Sequence, residues 1–317
     1  MDGLGIIATF VCGPHRPSRH RPSAWGRRLS CFSAHVASQL PPSPKPTMKL
    51  RLTLHLLLTF TLAVFPSCSH DDELDVSTIP AKVPPLQPST ECVPLIAHRG
   101  CWSGSEYPQN SVAAFREALK LNIYGTEFDV RQTRDGRLVV NHDATYKGLA
   151  VEDFDYDDLS QQTLSNGEPL PLLEDFLRAY TETLTSVQLV VELKKCRVAD
   201  VLDLLGQYDV LNRALFISFS KSYCNQLVKA GYGPVTYYLG GNMTPASVHD
   251  AGYAGIDYRH SVLLEHPEWI TEAQSLGLQV IAWTVNDPDL IHDYISNDVV
   301  VTSDRAKDYI KSNSTGK

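Results

Sequence analysis

Two carboxylates stand two residues apart in one apolar run, Gly125-Thr126-Glu127-Phe128-Asp129-Val130. Alternate residues of an extended strand point to one face, so Glu127 and Asp129 project together while Phe128 and Val130 point the other way. Like charges at that spacing repel and raise each other's pKa, so the pair calls for a cation or a shared proton. A second run, Val190-Val191-Glu192-Leu193-Lys194, repeats the device with Glu192 and Lys194 on one face. Glu and Lys are rarely placed inside an apolar parallel strand for stability. Taken singly, a strand carboxylate is more often a paired or rim residue than a ligand. Glu127, Asp129 and Glu192 together form a hard oxygen set, which suits Mg2+, Ca2+ or Mn2+ rather than zinc.

Two histidines end neighbouring apolar runs: His98 after Leu95-Ile96-Ala97, and His142 after Leu138-Val139-Val140-Asn141. A lone histidine is usually a satisfied core or surface residue, and His70, His249, His260, His266 and His292 are read that way. His98 and His142 differ because they flank three strand-end carboxylates, with Arg99 and Lys194 adjacent. Charge, metal ligands and proton carriers then converge on a space the size of a phosphate.

These residues need a scaffold that delivers strand ends to one place. Short β-type runs at 95–98, 125–131, 188–194, 214–219, 235–239, 255–258, 279–285 and 299–303 alternate with helical patterns. Helices are expected at Ser111 to Leu121, Leu173 to Glu182, Val198 to Tyr208, Lys221 to Ala230, Pro267 to Leu276 and Pro288 to Ile295. Ser111 and Asn286-Asp287 are credible caps. Eight such strands predict an α/β fold, a (β/α)8 TIM barrel over residues 93–312, which gathers chemical groups at its C-terminal mouth. No sequence repeat of 20 to 50 residues competes with that reading. Leu138 to His142 breaks the alternation, because Gln132 to Arg137 is too short for a parallel crossover. Asp135-Gly136 instead reads as a tight hairpin turn, with Arg134 facing Arg137 and, counting outward, His142 opposite Asp129.

Ile96-Ala97-His98-Arg99-Gly100, Pro108-Gln109-Asn110-Ser111, Gly125 to Val130 and Thr133-Arg134-Asp135-Gly136 occur in that order. They are followed by Val139-Val140-Asn141-His142-Asp143, Glu192-Leu193-Lys194, Trp283-Thr284-Val285-Asn286 and Val300 to Asp304. The series resembles the glycerophosphodiester phosphodiesterase family, a phospholipase C-like phosphodiesterase TIM barrel, here in a bacterial lipoprotein form. The resemblance implies metal-dependent hydrolysis of a small-molecule glycerophosphodiester to glycerol phosphate and an alcohol. It implies Glu127, Asp129 and Glu192 as ligands of a divalent cation (Mg2+ or Ca2+), and His98 and His142 as general base and acid. Arg99 and Lys194, with Asn110 and Trp283, would bind the phosphate and substrate. Gln109 departs from the pattern, where Glu normally precedes the Asn. Tyr237 and Tyr238 could line the pocket, although a strand aromatic is more often core. Competing readings are a phospholipase C- or D-like lipid phosphodiesterase and a non-catalytic glycerophosphoryl-binding surface lipoprotein.

The remainder of the chain bounds location and partners. Residues 1–47, rich in Arg, Pro, Ser and His, read as a spurious or non-structural leader. From Met48, Lys49 and Arg51 precede the apolar run Leu52 to Phe65, the length of a signal peptide rather than a membrane span. That signal, 48–67, ends before Cys68, the expected lipidation site. Residues 68–92, with an acidic run and four prolines, read as a lipid-attached linker, and 313–317 as a disordered tail. The expected location is exported and membrane-attached through the N-terminal lipid, facing the periplasm or cell surface. A net charge of −8 and no clustered basic stripe after the leader argue against nucleic acid. Of seven cysteines, Cys92, Cys101, Cys196 and Cys224 remain after the leader and the lipid site, match no zinc spacing, and read as buried free thiols.

Overall fold

The computed structural model describes residues 92–314. The leader, the signal segment, Cys68 and nearly all of the linker lie outside the described residues. The strands are β1 (Val93–Ala97), β2 (Ile123–Gln132), β3 (Leu138–Val140), the short pair β4 (Thr145–Tyr146) and β5 (Leu149–Ala150), and β6 (Gln188–Lys195). They continue with β7 (Ala214–Ser218), β8 (Thr236–Tyr238), β9 (Gly255–Arg259), β10 (Gln279–Trp283) and β11 (Val300–Ser303). The helices are α1 (Val112–Ala118), α2 (Tyr156–Leu159), α3 (Leu173–Thr181), α4 (Val198–Gln207) and α5 (Lys221–Lys229). They are followed by α6 (Pro245–Asp250), α7 (His260–Glu265), α8 (Glu268–Ser275), α9 (Pro288–Ser296) and α10 (Ala306–Ser314). Every expected strand and helix is present within a few residues. The short helices α2, α6 and α7 had no clear period, and α10 runs two residues past the expected start of the tail.

The sheet order is β1-β11-β10-β9-β8-β7-β6-β2, and β1 pairs with β2 to close it. All eight of these strands run parallel, which makes a (β/α)8 TIM barrel. The register shows which side chains enter the barrel. Asp129 pairs with Glu192, Glu127 with Val190, and Ile96 with Gly125, so these residues share the inner face with His98 two places beyond Ile96. Phe128, of opposite parity, packs outward against Phe115 of α1 and Phe176 of α3, with ring centroids 5.7 and 5.1 Å away. Each such buried aromatic contributes roughly 1.5–3 kcal/mol of transfer free energy, so β2 is anchored by one face while the other carries charge. Ser111 caps α1 by accepting from Ala114 N, and Asp287 caps α9 by accepting from the amides of Asp289 and Leu290.

The expected hairpin exists, but its register is off by one. Thr133 N donates to Arg137 O and Gly136 N to Thr133 O, so the loop holds three residues, with Gly136 at φ +84°. A three-residue loop with a left-handed glycine in its last position fits a type I turn with a bulge, whereas a two-residue Asp-Gly turn was expected. Asn141, and not His142, therefore lies opposite Asp129, and its amide donates to Asp129 O. Beyond β3 the chain makes a small subdomain whose own core joins Val139, Tyr146, Val151, Leu159 and Leu170. The four domain cysteines are free thiols, three of them buried.

Candidate active site

β1 ends at Ala97, and the next three residues turn sharply. Arg99 has φ +55° and Gly100 φ +80°. A Cβ on Gly100 would lie 2.7 Å from the backbone carbon of Ala114, so only glycine lets this turn lie against α1. The turn directs Arg99 N to Glu127 Oε2 at 2.9 Å, and brings Arg99 Nε within 3.4 Å of Asp129 Oδ2. Asn110, also left-handed at φ +58°, donates from Nδ2 to Asp129 Oδ2 at 2.7 Å. The side chain expected to bind substrate thus holds a carboxylate. Gln109 Oε1 accepts from Arg99 Nη1 at 2.8 Å, which fixes the guanidinium without adding a charge.

Glu127, Asp129 and Glu192 are each buried, and each offers an oxygen within 4.8 Å of the others. Lys194 Nζ lies 2.7 Å from Glu192 Oε1 and 3.2 Å from Asp129 Oδ1. Burial pushes Glu127 well above the usual carboxylate range, and its two acidic neighbours push the same way. Burial and Asp129 likewise raise Glu192, to about 7, against the pull of Lys194. Burial works upward on Asp129 too, but Lys194, Arg99 and the Asn110 hydrogen bond outweigh it and hold the group low. Glu127 Oε1 is buried with no hydrogen-bond partner. A buried three-carboxylate cluster with an unpaired oxygen fits a hard divalent cation.

His98 approaches this cluster directly, and His142 lies near enough for the charge of Asp129 to act on it. His98 Nδ1 meets Asp304 Oδ1 at 2.7 Å, and its Nε2 stands 3.9 Å from Glu127 Oε2. Asp304 is itself held by Asn286, whose Nδ2 donates to Asp304 Oδ2 and whose Oδ1 accepts from Asp304 N. These hydrogen bonds outweigh burial and lower the Asp304 carboxyl, which keeps it an acceptor. His142 is half-buried. Arg131 grips its carbonyl through Nε and Nη2, and Asp143 Oδ1 lies 2.7 Å from its Nδ1. Burial moves His142 below the usual imidazole range, while Asp129 and Asp143 pull it upward, so the ring senses the cluster despite the shifted hairpin.

Trp283 sits on the opposite side of the mouth. Its Nε1 donates to Asp257 O, and its ring meets Phe219 edge-on at 5.7 Å. Asp304 had no expected role, and Asn286 was expected only as part of a helix cap. The signal for Asp304 was parity, since Thr302 and Asp304 continue the inward-facing series of β11 past its last ladder pair. Tyr237 and Tyr238 are not at the mouth. Tyr237 lines a cavity of about 530 Å3 at the N-terminal end, where it and Tyr124 both donate to Gln279 Oε1. Tyr238 packs against Tyr258 and Tyr253.

Residues 98–306 match the family model described as the glycerophosphoryl diester phosphodiesterase family. The chain is 31% identical over 238 residues to "Probable glycerophosphodiester phosphodiesterase 2" of Mycobacterium tuberculosis, covering 67% of this chain and 87% of that one. A solved glycerophosphodiester phosphodiesterase from Parabacteroides distasonis superposes with a TM-score of 0.66 at 32% identity, covering 70% of this chain and 98% of that one. An Oleispira antarctica phosphodiesterase, solved with its product sn-glycerol-3-phosphate, shares the fold at a TM-score of 0.60 and 22% identity, covering 70% and 96% of the two chains. This chain belongs to the glycerophosphoryl diester phosphodiesterase family, a family of phosphoric diester hydrolases.

Proposed function

We propose that this protein hydrolyses glycerophosphodiesters to glycerol phosphate and an alcohol in a metal-dependent reaction. The observation that carries the reading is the convergence, on one inner barrel face, of Glu127, Asp129 and Glu192 with Arg99, Lys194 and His98. The three carboxylates would hold a divalent cation (Mg2+ or Ca2+), which when bound supplies positive charge to the phosphoryl oxygens. Arg99, fixed by Gln109 and Asp129, and Lys194 bind the phosphate. Family membership and the product found in the Oleispira antarctica relative support glycerol phosphate as the product here.

The histidines handle the protons. Asp304 engages His98 Nδ1, which leaves Nε2 as the free lone pair on the cluster side, suited to a general base. A bond forms to phosphorus from the attacking oxygen, that of water or of a neighbouring substrate hydroxyl, and its proton passes to His98 Nε2. The bond from phosphorus to the alcohol oxygen breaks, and that oxygen takes a proton from His142. Where the attacker is the substrate hydroxyl, water then opens the resulting cyclic phosphate to glycerol phosphate. Each transfer contributes roughly 10²–10⁴ in rate. Trp283 and Asn110 complete the binding surface, Asn110 by holding Asp129.

The test is release of glycerol phosphate from a panel of glycerophosphodiesters, run with EDTA and with Mg2+ or Ca2+ restored. Turnover that stops in EDTA and returns with the metal is expected. Undiminished turnover in EDTA removes the metal, and tight binding without turnover leaves a glycerophosphoryl-binding module. Attachment to a membrane through a lipid on Cys68 is likewise proposed, from the Met48 to Cys68 signal. Mass spectrometry of the native protein should find an acylated Cys68 at the N-terminus, and an unmodified terminus upstream of Met48 ends that idea.

A further inference from the structure

The wall of the mouth facing the carboxylates is built from the ends of β7, β9 and β10. Gly255, Asp257 and Arg259 share the inner face of β9, and Arg259 pairs in the ladder with Trp283. The Arg259 guanidinium lies over the Trp283 ring, with its carbon 4.9 Å from the ring centroid. Phe219, half exposed, stands edge-on to Trp283, and Lys194 Nζ lies 5.7 Å from the Phe219 centroid. A continuous line therefore runs from the carboxylate cluster through Lys194, Phe219 and Trp283 to Arg259. The Arg259 side chain is exposed and has no hydrogen bond or ion pair among the described residues.

Two aromatic rings beside a phosphate site would suit a quaternary ammonium if their faces were free. Here one face of each ring already carries a cation, since Lys194 stands over Phe219 and Arg259 over Trp283. A cationic alcohol on this wall would meet two fixed positive charges. An anionic one would find a planar donor fork already oriented by stacking on Trp283. We infer that Arg259 is a specificity-determining residue that selects diesters whose alcohol carries an anionic group, either a carboxylate or a second phosphate. The inference rests on the phosphodiesterase reading and names the substrate class of the same site.

The experiment compares kcat/KM for four diesters with the metal-loaded full chain. They are glycerophosphoserine, bis(glycerophospho)glycerol, glycerophosphoglycerol and glycerophosphocholine, which present a carboxylate, a second phosphate, a neutral alcohol and a cation. The wild type should favour at least one anionic diester over the choline diester. Arg259→Gln should cut that preference at least about tenfold, the scale of a lost charge-assisted hydrogen bond, and Arg259→Glu should reverse it. Arg259→Lys should retain part of it, and added salt should weaken it. Whichever anionic diester loses more in Arg259→Gln identifies carboxylate or phosphate as the group read. A wild-type preference for the choline or neutral diester overturns the inference, as does a smaller change in Arg259→Gln. Turnover of none of the four sinks the phosphodiesterase reading instead. Calorimetric binding of the same diesters still reads the selectivity in that case, so the two failures are distinct.

Discussion

In the proposed reaction Asp304 would act only through His98. It engages Nδ1 at 2.7 Å and is pinned in turn by Asn286. Asp304→Ala frees the ring to rotate and to adopt the other tautomer, and should lower kcat by about 10- to 100-fold with KM little changed. Asp304→Asn keeps an acceptor and should lose less, and Asn286→Ala should lie between wild type and Asp304→Ala. Equal losses in Asp304→Ala and Asp304→Asn, or losses confined to KM, would contradict a positioning role. For the acid, His142→Ala should cost at least about 10²-fold on an unactivated diester. It should recover much of that on a p-nitrophenyl diester, whose leaving group needs no proton, whereas His98→Ala should not. If both variants respond alike to the leaving group, the assignment of base and acid fails. The carboxylates and Lys194 stood out because their types are improbable inside apolar strands, and His98, Arg99 and His142 because they directly follow apolar runs that the same motifs contain. Asp304, just beyond the end of β11, and Arg259, the last residue of β9, did not, because a charged residue at a strand end also reads as an ordinary loop or rim residue.

At the scale of elements, alternation carried the most information. One strand, β2, gives Phe128 to the outer packing and Glu127 and Asp129 to the mouth, and the same parity places Glu192, Arg259 and Trp283. The hairpin register was misread because Asp135-Gly136 supports both a two-residue turn and the last two positions of a three-residue one. A one-residue slip exchanges faces, so Asn141 took the place assigned to His142. His142 still feels the charge of Asp129, while Arg131 holds its carbonyl and the chain has left the ladder by then. The short helices were illegible for want of a full amphipathic period. The turn after β1 makes a sharper prediction. Gly100→Ala adds a Cβ 2.7 Å from the Ala114 backbone at a φ of +80°, and should destabilise by more than about 1 kcal/mol. Because Arg99 N binds Glu127, the loss of activity should exceed what the unfolded fraction explains. Urea unfolding alongside kcat/KM checks both, and an unchanged midpoint would mean the turn is not held as described.

For the molecule as a whole, the acidic cluster links stability to pH. Glu192 is raised to about 7, from an ordinary value of 4.5, and Glu127 is also raised well above its ordinary value by burial and two acidic neighbours. A carboxyl whose folded pKa exceeds its unfolded one binds more protons in the native state between the two values. Stability therefore falls as pH rises through that window, by up to about 1.4 kcal/mol per pH unit for each full proton. Asp129 and Asp304 are shifted downward, so their stabilisation is lost only in acid, below the range concerned. His142 is lowered as well, and its opposite contribution fades as pH rises past its ordinary value of 6.5. At higher pH the raised carboxyls, Glu192, Glu127 and the buried Asp257, set the sign together. The metal-free protein should lose a few degrees of Tm between pH 6.5 and 8.5, given about 2–4 °C per kcal/mol for a domain of this size. A divalent cation favours the ionised carboxylates, so saturating Mg2+ or Ca2+ should raise Tm more at pH 8.5 than at pH 6.5 and should release protons on binding. Calorimetric titration in buffers of different ionisation enthalpy counts those protons, and differential scanning gives the Tm. A metal-free Tm that is flat or rising across the interval would mean the cluster is already neutralised by Lys194 and Arg99. A cation shift equal at both pH values, with no proton released, would remove the three carboxylates as the ligand set.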